Sequence, residues 1–192
     1  MKKKLLYIAA IVICLSIMTG GTLAYRTVAD TTRNIITSNG VGVEILEMQQ
    51  LVNGQLQPYP GGAIPVMPNT KVSKIVRAKN NEASAWIRMN YTMTVTDAND
   101  NPLEIPQEEL KKVILLNIDN TSWTEKEGWF YYNTALGKDQ ITEPLFTEVI
   151  FSGPNMDNRY QQTKLKLNVV VQAVQTANNG TTVMNADGWP KS

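Results

Sequence analysis

Ala85-Trp86-Ile87-Arg88-Met89-Asn90-Tyr91-Thr92-Met93-Thr94-Val95-Thr96 decides the fold of this chain. Ala85, Ile87, Met89, Tyr91, Met93 and Val95 fall on one side of an extended backbone. Trp86, Arg88, Asn90, Thr92, Thr94 and Thr96 fall on the other. Side chains alternate along a strand, whereas a helix brings them round about every 3.6 residues, so a pattern this long excludes a helix. Lys164 to Gln175 repeats it, with Leu165, Leu167, Val169, Val171 and Ala173 opposite Lys164, Lys166, Asn168 and Gln172. Both stretches read as antiparallel strands with one face on a core and one face wet.

Working outward, Val41, Val43 and Ile45 alternate with Gly42 and Glu44, and Val72 to Lys79, Val113 to Ile118 and Leu145 to Phe151 are further strand candidates. Ser122-Trp123-Thr124 and Trp129 to Tyr132 suit a hairpin turning near Glu127-Gly128. Pro106 to Lys112 has proline first, acids early and lysines late, the order that favours a short helix. Asn53-Gly54, Pro60-Gly61-Gly62, Gly153-Pro154-Asn155 and Asn179-Gly180 mark turns between these elements. The expectation is an all-β domain over residues 40–176, an antiparallel two-sheet sandwich with at most one or two short helices. Residues 177–192 read as a polar tail, with Trp189 the only large apolar side chain near its end.

The N-terminus carries a different signal. Lys2, Lys3 and Lys4 precede an apolar run from Leu5 to Met18, and Thr22-Leu23-Ala24 sets small residues where a signal peptidase reads. Residues 1–24 therefore read as a secretory signal peptide, with Thr22 and Ala24 recognised and Tyr25 as the first mature residue. The run is shorter than the ~20 residues of a bilayer-spanning helix. Cys14 lies inside the run after Ile13, which does not fit a lipid-modified cysteine. Removal of the signal takes away the only cysteine, so the exported domain is expected to rest on its core without disulfides. It also takes three of the eighteen basic residues, leaving fifteen against seventeen acidic ones. That balance, without a basic cluster, argues against nucleic acid.

The chain has no histidine. A Ser-His-Asp triad, a Cys-His pair and a His-Glu-x-x-His zinc helix are all excluded. Glu108 with Glu109 and Glu125 with Glu127 are neighbouring acid pairs, read as a helix start and a solvated hairpin rather than a glycosidase pair. Asp97-Ala98-Asn99-Asp100-Asn101 offers several oxygens but reads as a turn rather than a calcium loop. Trp123, Trp129, Phe130, Tyr131 and Tyr132 read as core of a hairpin before they read as a glycan platform. No catalytic residue, metal ligand or cofactor is expected.

Gly20-Gly21-Thr22-Leu23-Ala24-Tyr25 resembles the cleavage region of proteins handled by the alternate, SipW-type signal peptidase, the TasA/camelysin-like group of Gram-positive bacteria. Gly40-Val41-Gly42-Val43-Glu44-Ile45 looks like the group's first strand, and Val66 to Val72 is similar to its proline-led strand entry. Ala85-Trp86-Ile87-Arg88, Gly128-Trp129-Phe130-Tyr131-Tyr132-Asn133, Thr142-Glu143-Pro144-Leu145-Phe146 and Gln172-Ala173-Val174-Gln175 follow in the expected order. Arg26 stands where phenylalanine is frequent, and Asp30 lies farther on than the usual aspartate.

The resemblance implies a jelly-roll-like sandwich and a secreted structural subunit of a biofilm matrix or cell surface, assembled into fibres by donor-strand exchange. The leader, residues 25–39, would then be the donated strand, with Val28, Ile35 and Ile36 entering the neighbour. The expected partners are the signal peptidase during export and other copies of this chain, with the membrane met only through the signal. Two other functions stay open. One is a monomeric extracellular module for a glycan or host protein; the other, carried by the camelysin name alone, is a secreted metallopeptidase.

Overall fold

The computed structural model describes Ile35–Ile36 and residues 42–190. Its strands are β1 (Ile35–Ile36), β2 (Val43–Gln50), β3 (Leu56–Pro58), β4 (Ile64–Pro65), β5 (Lys71–Asn80), β6 (Ala85–Thr96), β7 (Ile114–Leu116), β8 (Trp123–Lys126), β9 (Trp129–Tyr132), β10 (Phe146–Phe151) and β11 (Lys164–Gln175). A single α-helix among the described residues, α1, spans Gln107–Val113. Sheet I has the order β1-β11-β6-β9-β8, with β4 also on β11; sheet II has the order β3-β2-β5-β10-β7. Every pairing is antiparallel except β1 with β11. The expected all-β sandwich with one short helix is the architecture observed.

β6 and β11 cover the same residues that alternation assigns to them, and they pair in register along their whole length, from Ala85 opposite Gln175 to Thr96 opposite Lys164. Their inward faces meet sheet II: Ile87, Met89, Leu165 and Val171 are buried on one side, and Val76, Ala78, Phe146 and Val149 on the other. Tyr91 spans the interior, stacked on Phe130 at 5.8 Å and edge-on to Phe146 at 6.4 Å. Each fully buried aliphatic side chain of this kind stabilises by roughly 1.5–3 kcal/mol relative to its exposed state.

The hairpin between β8 and β9 turns through Glu127 and Gly128, both with positive φ (53° and 78°), the geometry that matches the twist of a two-residue hairpin. Helix α1 begins after Pro106, carries Glu108 and Glu109 in its first turn and Lys111 and Lys112 in its last, and buries Leu110 and Val113. It also protects a sheet. β9 pairs with β6 only at Arg88 and Met89, so among the described residues Met93 has no strand on that side, and the Gln107 side chain takes that place. Met93 N donates to Gln107 Oε1 (3.1 Å) and Gln107 Nε2 donates to Met93 O (2.6 Å).

β3 and β4 escape a reading by alternation. They lie in a stretch of proline and glycine, and each ends in a proline on an edge strand, where the missing N–H is tolerated. β2 runs five residues past the alternation that ended at Ile45, to Gln50, while the other expected strands sit within a residue or two: β7 starts at Ile114 because Val113 closes the helix.

Three turns are held by ionised aspartates. Asp97 accepts from the Asn101 side chain and from the backbone N–H groups of Asn101 and Asn99, which supports the turn reading over a calcium loop. Asp119 accepts from Ser122 and Thr121, and Asp157 from Arg159. These hydrogen bonds hold the three carboxyls below the usual value of 3.8. A depressed folded pKa stabilises fully above the unfolded value and is lost as pH falls through the folded one. The urea midpoint is therefore expected to drop between about pH 5 and about pH 2, and Asp119→Asn is expected to flatten that drop.

Candidate assembly edge

β11 is paired with β6 along one side only; its other side is shared between two short segments. β4 takes the first end, with Lys164 opposite Pro65 and Leu165 opposite Ile64. β1 takes the far end in parallel, with Ile35 opposite Val171 and Ile36 opposite Gln172. Between them, Lys166 to Val170 has no ladder partner on that side among the described residues. Val66 N donates to Thr163 O (2.9 Å), carrying the same register past the start of β11, while toward Lys166 the chain of β4 leads back into Gly61 and Gly62, both with positive φ. An edge of unpaired N–H and C=O groups is a template for another strand, and natural edges are blunted by charge. Here the exposed Lys166 supplies that charge, while Val169 is buried.

The β1 end of this edge is built around Arg88. Gln172 stands opposite Ile36 on one side and opposite Arg88 on the other. Arg88 donates to Gln172 Oε1 from Nε (2.9 Å) and Nη2 (2.7 Å), to the Tyr131 hydroxyl from Nη1 (3.1 Å), and to the Pro190 carbonyl from Nη2 (3.2 Å). Its guanidinium lies between the rings of Trp129 (4.2 Å) and Trp189 (4.6 Å). A planar, weakly hydrated cation is suited to such a site.

Residues 176–190, which follow β11, form a strap over this part of sheet I. Trp86 Nε1 donates to Asn179 O (2.9 Å), and the Asn179 side chain pairs with the backbone of Asp187 in both directions (3.0 and 2.7 Å). Val183 and Ala186 are buried against Trp86, Tyr131 and Val174, and Trp189 stands edge-on to Tyr131 at 5.7 Å. The expectation of a wet outer face therefore needs correction. It holds at Thr92, which is exposed, but Trp86 and Gln172 on that same face are buried under the strap.

Of the residues singled out in the sequence, Ile35 and Ile36 are brought to the edge as β1. Thr22, Ala24, Tyr25 and Val28 lie outside the described residues. Of the acid pairs, Glu108 pairs with Lys111 at 3.0 Å and Glu109 with Arg159, while Glu125 and Glu127 are exposed on the β8–β9 hairpin. Trp123, Phe130 and Tyr131 are buried, and Trp129 and Tyr132 are half-buried. Arg88 with Trp129 and Trp189 is the constellation that reading strand by strand misses. Its one trace in the sequence is that Trp86-x-Arg88 puts large side chains on the face of β6 assigned to water. No family model, no curated protein and no solved structure matches this chain.

Proposed function

We propose that this protein is a secreted structural subunit of an extracellular matrix or cell surface, assembling into fibres by exchange of its N-terminal strand. The observation that carries the reading is β1. A two-residue strand from the N-terminal leader pairs at the rim of sheet I, beside a stretch of β11 that has no ladder partner on that side among the described residues. So short a pairing contributes few hydrogen bonds, and the same bonds form equally well with the leader of another copy. Exchange between chains then needs little net bonding energy, and a head-to-tail contact whose rotation does not close grows into a filament. The resemblance of the signal region and strand order to the TasA/camelysin-like group points the same way. Processing after Ala24, no catalytic role and no cofactor belong to this reading.

Two purified proteins test it, one beginning at Tyr25 and one at Gly40, compared by size exclusion and negative-stain microscopy. Filaments from the first alone are the expected result. Two monomeric proteins would overturn strand exchange and favour a monomeric surface-binding module.

A further inference from the structure

We propose that the C-terminal strap, residues 176–190, is a clasp that governs the exchange of β1. This rests on reading β1 as the exchangeable strand. The link between them is Gln172, which is fully buried, faces Ile36 across the ladder and holds Arg88 with its side-chain oxygen. Trp189 and Pro190 pin Arg88 from the strap side, so the strap sets the orientation of the Gln172 amide.

That orientation has a consequence for β1. With Oε1 turned to Arg88, the Gln172 Nε2 is buried and finds no acceptor among the described residues. A buried donor without a partner forfeits its hydration, so it raises the energy of the closed state. Opening the strap frees Arg88 and lets water reach that amide. The closed strap holds Gln172 in place against this cost. Its release lets Arg88 and Gln172 turn and hydrate, which unsettles the Gln172 backbone that receives Ile36 and so loosens β1. The strap is itself a built element: Gly180 has φ +60°, and a Cβ there would lie 2.7 Å from Asn185 O. An L side chain at that position forces the strap to shift without touching Arg88 or β1.

Two variants open the clasp from different points, Trp189→Ala at its anchor and Gly180→Ala at its turn. Hydrogen–deuterium exchange is followed by mass spectrometry on the full mature chain, with β2 and β5 in sheet II as the internal reference. Both variants are expected to speed exchange in peptides covering residues 35–36 and 171–172 by roughly tenfold, with the reference unchanged. Unchanged β1 protection in both variants overturns the proposal, as does an equal acceleration of every strand. Filament growth is measured alongside. Faster β1 exchange with faster growth supports clasp and function together. Faster β1 exchange with no filaments from any form supports the clasp and overturns the matrix-subunit reading.

Discussion

Trp123→Ala is expected to destabilise the domain by roughly 3–5 kcal/mol, a large part of the ~5–15 kcal/mol typical of a folded domain. Trp123 is 1% exposed and lies 5.0 Å from the ring of Tyr132, its cross-strand partner in β9. Its indole N–H donates to the Glu143 carbonyl at 3.2 Å. The substitution therefore opens a cavity, removes an aromatic contact and leaves a carbonyl without its donor. Urea denaturation followed by far-UV circular dichroism measures the change. A variant of unaltered stability that had lost affinity for a glycan would instead assign Trp123 to a binding platform.

Arg88→Met is expected to cost about 2–3 kcal/mol and to free the strap while the sandwich stays folded. Methionine preserves apolar volume between Trp129 and Trp189 but removes every N–H that reaches Gln172, Tyr131 and Pro190. The loss exceeds that of an exposed arginine because a closed strap would then bury Gln172 with neither end of its amide paired, which favours the open strap. Arg88→Lys is expected to recover only a minor share, since a point charge cannot reproduce the fork that reaches three acceptors. Thermal unfolding of the three proteins, with tryptophan fluorescence reporting the strap, checks both statements. Equal stability of Arg88→Met and the parent protein would show that the strap is held by Val183 and Ala186 alone.

β6, β11 and the β8–β9 turn were legible because their signals are local. Alternation in β6 and β11 is written in adjacent residues, and Glu127-Gly128 sits between two aromatic-bearing segments. Helix α1 was legible for the same reason, through proline, acids and lysines in the right order. β3 and β4 were not, because each is ordered by the strand it lies against rather than by its own composition. The candidate edge was half legible. Ile35 and Ile36 stand out as an apolar pair in a polar leader, but nothing near them names β11 as partner or a parallel register.

The sequence by itself determined that this domain is built of strands and which side of the long ones faces the core. Period-two alternation needs only neighbouring residues and the geometry of an extended backbone. The tertiary structure decided what happens on the other side. Arg88 lies on the polar face of β6, and its fate depends on Trp189 and on Pro190, a residue 102 positions later in the chain. Only the return of that strap over sheet I buries Trp86 and Gln172 and converts a wet face into a second apolar cluster. A pattern of adjacent residues cannot encode that contact, because the energy that makes it comes from surfaces joined by folding.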